Sequence, residues 1–324
     1  MMRSVFAALF AVLLAGPAFA ADKVTLMLNW YVYGEHAPFY YGKEKGYFKE
    51  AGIDLEIQEG RGSGTVTQVV AAKTVQFGYV DVPTMMRAAV KGAPVQAVGV
   101  ALQTNPMSVM GFVEKNIRKP EDIKGKTVAT TPGDSMSQIW PLFLKKTGLS
   151  DSDFKTVSGD AQTKLNAVIN NQADLLLGYV MDQAIKLQDA THKQVYPIRF
   201  ADYGVNMVSS GIIVQKDFLK QKPDLVKRFM RATTKSLEEA AKNPDAAVDA
   251  MLAANPKSGV KETALVGMKN TAALYKGPDN PNDRPLRVGG KNMDETLALL
   301  VEYGGLDKGS AGKATDYYSN DYLP

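Results

Sequence analysis

Near the N-terminus, Leu28-Asn29-Trp30-Tyr31-Val32-Tyr33-Gly34-Glu35-His36-Ala37-Pro38-Phe39-Tyr40-Tyr41 gathers ring faces, an amide, a carboxyl group and an imidazole within one short stretch. The chemistry this favours is non-covalent capture of a planar ring. Stacking on Trp30 or a neighbouring tyrosine contributes roughly 0.5–1.5 kcal/mol beyond area burial. Asn29, Tyr31 and Tyr33 add hydrogen-bonding edges. Glu35 either accepts from an amine or ring N–H of a ligand, or complements the dipole of the helix it opens. His36 either meets the ligand or is a helix-start residue bonded locally. Eight aromatics fall in the 19 residues from Trp30 to Phe48, where an even spread of the 14 Tyr, 12 Phe and 2 Trp would put between one and two. Phe39, Tyr41, Tyr47 and Phe48 fit the core face of a first helix, whereas Trp30, Tyr31 and Tyr33 sit in the loop.

A second candidate is Gly62-Ser63-Gly64-Thr65. It opens a helix whose exposed N–H groups would bind a carboxylate, sulfonate or phosphate, with Arg61 beside them. It also reads as an ordinary serine cap. Asp81 follows a strand and either faces a cleft or caps its helix. Met85, Met86, Met107 and Met110 read as core filler. With two histidines, His36 and His192, and no cysteine, a His/Cys metal centre and a cysteine nucleophile are excluded. No cofactor is expected.

The elements that position these residues alternate. Strands are expected at Val24–Leu28, Asp54–Gln58, Gln76–Val80 and Val95–Leu102, with helices at His36–Lys45, Val66–Lys73 and from Asp81-Val82-Pro83 to Val90. A second series follows: strands Thr127–Thr130, Phe154–Ser158, Asp174–Tyr179 and Val195–Phe200, and helices from Pro132-Gly133-Asp134-Ser135 to Lys146, Asp160–Asn170 and Asp182–Ala190. This order predicts mostly parallel sheets with helices on both faces. Gly78-Tyr79-Val80 and Gly178-Tyr179-Val180 stand 100 residues apart in matching surroundings, which predicts two similar α/β lobes. The apolar segments Met107–Val113 and Val208–Gln215, with Gly111 and Gly211, are expected to cross between the lobes. The first lobe then comprises 21–107 and 215–324, and the second 108–214. Helices at Pro223–Ala241, Asp245–Ala253, Lys261–Leu274 and Met293–Tyr303 should wrap the first lobe, with the Gly277–Pro281 run as punctuation and Tyr317, Tyr318 and Tyr322 stapling the tail.

A length of 324 residues at 45% apolar content supplies two cores. Residues 1–20 read as a secretory leader: Arg3, the apolar run Val5–Leu14 and the Ala18-Phe19-Ala20 cleavage motif. Cleavage after Ala20 places the protein in the periplasm, and no later stretch is long enough for a membrane span. Losing Arg3 from the 38 basic residues against 34 acids leaves a net charge of +3, too mild to argue for nucleic acid as a partner. A monomer is expected.

Leu28-Asn29-Trp30, His36-Ala37-Pro38 and Lys45-Gly46-Tyr47-Phe48-Lys49-Glu50-Ala51-Gly52-Ile53-Asp54 resemble the thiamine-pyrimidine-precursor group of periplasmic substrate-binding proteins. That group serves ABC importers for thiamine-precursor pyrimidines, with related branches for taurine, alkyl sulfonates and nitrate. The resemblance spans Lys23 to at least Met230, most specifically at the N-terminus. It implies an α/β, two-lobed periplasmic-binding-protein fold of type II, in which two Rossmann-like lobes are joined by two hinge crossings. A membrane permease is the implied partner. The same superfamily contains synthases of the thiamine pyrimidine, which need a lysine and a histidine after the third strand and a cysteine-rich run later. Gly78–Thr84 has neither, and Asn206–Gly211 has no cysteine.

In such a fold the ligand lies between lobes. From the second lobe, Thr131, Asp134, Ser135 and Met136 occupy the strand-to-helix loop, Tyr179 and Asp182 follow the third strand, and Asn206 precedes the second crossing. Tyr79 and Tyr179, one per lobe, form a suggestive ligand pair. The expected function is a solute-binding component of an ABC importer that closes on a small planar heterocycle. The alternatives are a sulfonate or aromatic carboxylate ligand, a pyrimidine synthase, and a periplasmic sensor domain.

Overall fold

The computed structural model describes residues 20–324 apart from 278 and 280. The expected leader therefore lies outside the described residues, except Ala20, as does part of the Gly277–Pro281 run. No helix among the described residues is long and apolar enough to cross a membrane.

Among the described residues, ten strands form two sheets of five. They are β1 (Asp22–Met27), β2 (Ile53–Gln58), β3 (Phe77–Asp81), β4 (Val95–Val100), β5 (Met107–Phe112), β6 (Thr127–Thr130), β7 (Lys155–Ser158), β8 (Leu175–Tyr179), β9 (Val195–Arg199) and β10 (Ser210–Gln215). The first sheet has the order β2-β1-β3-β10-β4 and the second β7-β6-β8-β5-β9. β1 pairs in parallel with β2 and β3, and β6 with β7 and β8. The fourth strand of each sheet, β10 or β5, runs antiparallel to both neighbours. Each sheet is thus mixed, and the two are copies of one plan. The Gly-Tyr-Val repeat falls on β3 and β8, the central strands.

Met107–Phe112 and Ser210–Gln215 are interior strands rather than connectors. β10 belongs to the first sheet, so residues 210–214 pair there and not in the second lobe, and Met107 pairs in the second sheet. Gly111 and Gly211 are held within paired strands, which locks their backbone. The passages between sheets lie upstream of both glycines, at residues 101–106 and 200–209. They run side by side: Ala101 and Leu102 N–H donate to Ser210 O at 2.8 and 3.0 Å, and Ser209 N–H donates to Leu102 O at 2.8 Å.

Apolar burial explains the layers. Central strands β3, β5, β8 and β10 are buried along their length, as expected for strands covered on both faces. Phe229, from the helix Pro223–Lys242, stacks on Phe77 with centroids 3.8 Å apart. The second lobe closes on Trp140, Phe143 and Phe200, with Phe143 and Phe200 centroids 4.2 Å apart. The expected first helix His36–Lys45 is a single tight turn, Gly34–His36, followed by Ala37–Glu44. The tail covers the edge strand β4: Ala97 N–H donates to Tyr317 O, and Ser319 N–H to Ala97 O, both at 2.9 Å. That covering removes an unpaired edge.

The helix Lys261–Ala272 bridges the lobes. A Cβ on Gly267 would stand 2.8 Å from the carbonyl oxygen of Met181, and one on Gly34 would run into the backbone of Ala264. Only glycine admits this approach.

Candidate functional site

Between the carboxyl ends of the two sets of parallel strands lies a cavity with an interior volume of about 30 Å3, the space of roughly two water molecules. The first lobe lines it with Asn29, Trp30 and Tyr33 from the loop after β1, and with Gly62 and Ser63 at the start of the helix Ser63–Ala71. The second lobe contributes Asp134, Ser135 and Met136 where the helix Ser135–Thr147 begins, and Tyr179 and Asp182 after β8. Strand-end loops of both sheets therefore meet here, at the crevice where open α/β sheets place ligands. Lys164 and Gln183 complete the wall.

The chemistry of the wall begins with Trp30. It is 8% exposed, and its Nε1–H has no acceptor among the described residues. The Lys164 ammonium lies 5.3 Å from the Trp30 ring centroid, within cation–π range. Lys164 is 2% exposed, and its ion pair with Asp134 Oδ2 is 3.5 Å long. Asp134 also caps its helix, Oδ1 accepting from Ser137 N–H at 2.7 Å. Asp182 pairs with Lys186 at 2.6 Å. Tyr179 Oη lies 3.1 Å from Ser135 Oγ and 3.2 Å from Ser209 Oγ.

Beneath this wall sit groups that orient it. Burial pushes the His36 imidazole down to about 3, with the charge of Lys186 adding to the effect. The ring is therefore neutral at pH 7, and Nδ1 accepts from Tyr33 N–H at 3.4 Å. Nε2–H is then free to donate to Asn29 Oδ1 at 2.8 Å. Asn29 Nδ2 in turn donates to Ser210 Oγ at 3.4 Å, so the cavity-facing amide is fixed at both ends. Glu35 receives hydrogen bonds from Tyr33 Oη and, at 2.7 Å, from Tyr79 Oη. Burial raises the Glu35 carboxyl to about 7, against the opposing effect of the Tyr79 and Ser210 hydroxyls. Burial likewise raises Asp81 to about 6.

Several expected contacts are thus displaced from the cavity wall. His36 and Glu35 lie behind Asn29 and Tyr33. Tyr79 is 1% exposed, edge-on to Phe39 at 5.0 Å, and spends its hydroxyl on Glu35. It does not form a pair with Tyr179 across the cavity. Asp81 caps its helix through Thr84 N–H at 2.9 Å and accepts from Ser209 Oγ at 3.2 Å. Thr131 is buried outside the wall with an unpartnered Oγ1. Tyr31 lines a wider groove at the cleft mouth, with the Arg61 guanidinium 4.0 Å from its ring centroid. Asn206 is exposed and accepts from Asn105 N–H at 3.4 Å.

Gly-Ser-Gly has a role that neither sequence reading anticipated. Ser63 does not cap the helix; its Oγ accepts from Asp81 N–H at 3.0 Å. Gly62 has φ 121°, and a Cβ there would stand 2.6 Å from Gly133 O. Gly64 N–H donates to that same oxygen at 3.2 Å. The glycines let the two lobes touch, backbone to backbone, beside the cavity.

Lys164 carried a signal in the sequence. On the helix Ala161–Ile169 it shares a face with Ala167 and Val168, the other buried positions. Residues at i, i+3 and i+4 share a helix face, so the sequence places Lys164 on the apolar face but leaves open whether its head reaches water.

Comparison with known proteins agrees with this architecture. A family model described as NMT1/THI5 like matches residues 34–247. A 4-amino-5-hydroxymethyl-2-methylpyrimidine phosphate synthase of Legionella pneumophila is 27% identical over 238 residues, covering 73% of this chain and 75% of its own. A formylaminopyrimidine-binding protein of Halalkalibacterium halodurans is 25% identical, covering 89% of this chain and 88% of its own. Among solved structures, the alkanesulfonate-binding protein SsuA from Xanthomonas axonopodis pv. citri superposes with a TM-score of 0.70 at 13% identity, over 93% of this chain and 99% of that one. The fold is therefore that of the two-lobed periplasmic binding proteins. With the family match running from Gly34 through β2 to β10 and into the C-terminal helices, the chain belongs to the NMT1/THI5-like family.

Proposed function

We propose that this protein is the solute-binding component of an ABC importer, working in the periplasm after removal of its leader at Ala20. It captures a small planar heterocycle of the thiamine-precursor pyrimidine kind between its lobes and presents it to a membrane permease. The observation that carries this reading is Trp30, a buried indole with an unpartnered N–H in a wall built by both lobes. A buried polar group without a partner costs about 1–3 kcal/mol, and a ligand acceptor would recover it. The pyrimidine class is supported by the Legionella synthase and the Halalkalibacterium binding protein, both named for pyrimidines. The synthase reading is disfavoured by Gly78–Thr84, which holds neither lysine nor histidine.

A cavity of about 30 Å3 cannot hold a ring, so the lobes part for entry and re-close on the ligand. Contacts from both sides then favour the closed form. Calorimetric titration over pyrimidines, sulfonates and aromatic acids tests this. A ligand at 100 times its dissociation constant adds about 2.7 kcal/mol of stability. Trp30→Phe keeps a buried ring and removes the N–H, so it is expected to weaken binding more than it lowers Tm, whereas Trp30→Ala would also cost core packing. Equal affinity in Trp30→Phe and parent removes the Trp30 N–H from the site.

A further inference from the structure

Two donors in the cavity wall are under-used. The Lys164 ammonium carries three N–H groups, and among the described residues its hydrogen-bond acceptor is Asp134 Oδ2, at 3.5 Å. That distance is long for a charge-assisted bond. Among the same residues, Trp30 Nε1–H has no acceptor. The two lie together, with the ammonium 5.3 Å from the indole centroid and each residue at least nine-tenths buried.

The carboxylates of the wall face a cation or a helix start: Asp182 Oδ1 lies 2.6 Å from Lys186 Nζ without a hydrogen bond of its own among the described residues, and Asp134 Oδ1 accepts from Ser137 N–H at 2.7 Å. At Lys164 and Trp30 themselves the surplus is in donors. The starts of the helices Ser63–Ala71 and Ser135–Thr147 also border the cavity, and their partial positive charge adds to that surplus.

The Lys164 ammonium also lies over one face of the Trp30 ring, where a stacking ligand would compete with it. A ring entering there must displace the ammonium from the indole. Displacing a buried cation is unfavourable unless the ligand offers it an acceptor.

From this juxtaposition we infer that Lys164 selects the ligand: the cleft takes a planar ring carrying a carboxylate-type oxygen group, received by the Lys164 ammonium beside the Trp30 N–H. Rings whose edges offer only N–H donors are disfavoured. Asp134 is the positioning residue, holding the ammonium in the wall until a ligand oxygen supplements it. This inference rests on the reading that the cavity takes a planar ring, and it narrows the class of ring.

The test uses the full chain and a matched pair of probes, pyrimidine-5-carboxylate and 5-hydroxymethylpyrimidine, each titrated by calorimetry. The parent is expected to favour the carboxylate. Lys164→Met keeps most of the aliphatic stem and should lose roughly ten- to hundredfold of the carboxylate affinity, while the affinity for the hydroxymethyl compound stays within about threefold. Asp134→Asn keeps a good helix cap and frees the ammonium, so it should raise the carboxylate-to-hydroxymethyl affinity ratio. This variant supplies a readout even if Lys164→Met folds poorly. Rings that bind the parent with no change in that ratio in either variant overturn the inference and leave the ring-binding reading standing. If neither probe nor any other ring compound binds the parent, both fall together.

Discussion

Glu35 keeps its carboxyl group among hydroxyls, with Tyr33 and Tyr79 as donors, in a fully buried setting. Its carboxyl rises from 4.5 to about 7, chiefly through burial. The folded protein therefore retains a proton that the unfolded chain has released between those values. The resulting stabilisation is complete below pH 4.5 and is lost as pH rises to about 7, amounting to up to roughly 3 kcal/mol. Asp81, raised to about 6, acts in the same direction at lower pH. His36, lowered from 6.5 to about 3, acts in the opposite direction between those two values. Comparing Glu35→Gln with the parent isolates one group. Urea melts at pH 5 and pH 7.5 should show the parent losing stability relative to the variant as pH rises. A constant difference between the two proteins would mean that Glu35 is ionised throughout. The same residue shows where sequence reasoning stops. Glu35 and His36 were legible as chemistry-bearing groups, but whether such a group faces a ligand or braces its neighbour depends on distant chain. Tyr79 and Tyr179 make the point again, because they occupy equivalent strand positions. One is roofed by Phe39 and bound to Glu35, while the other reaches Ser135 and Ser209.

At the scale of elements, the loops after β1, β8 and the helix start at Asp134 fall where alternation and turn residues place them. The Gly-Tyr-Val repeat marks the two central strands. The antiparallel β5 and β10 were less legible, since a short apolar run shows neither its direction nor which sheet it joins. Glycine spacing at 62 and 64 likewise gave no sign that the partner was Gly133 of the other lobe. That contact yields a prediction. Gly64 sits in the first turn of a helix, and its added Cβ would meet Gly133 O at 3.0 Å and nothing else closer than 3.8 Å. In a helix, alanine is favoured over glycine by roughly 0.5–1 kcal/mol. Gly64→Ala should therefore keep or raise Tm while lowering ligand affinity, because the clash arises only when the lobes meet. Unchanged affinity would show that this contact is not part of the closed form.

At the scale of the whole molecule, two copies of one βαβ plan are tied by a pair of hydrogen-bonded passages, residues 101–106 and 200–209. The helix Lys261–Ala272 reaches from the first lobe to Met181 of the second. The proposed capture of a solute requires that one ligand touch both halves at once. A crystal structure of the full chain with a ring compound from the titration panel tests this most directly. The ring is expected against Trp30, with polar contacts from the Asp134–Met136 loop and Lys164 on the facing lobe. A ring bound on the outer surface of one lobe, or in the cleft with contacts from one lobe alone, would contradict it.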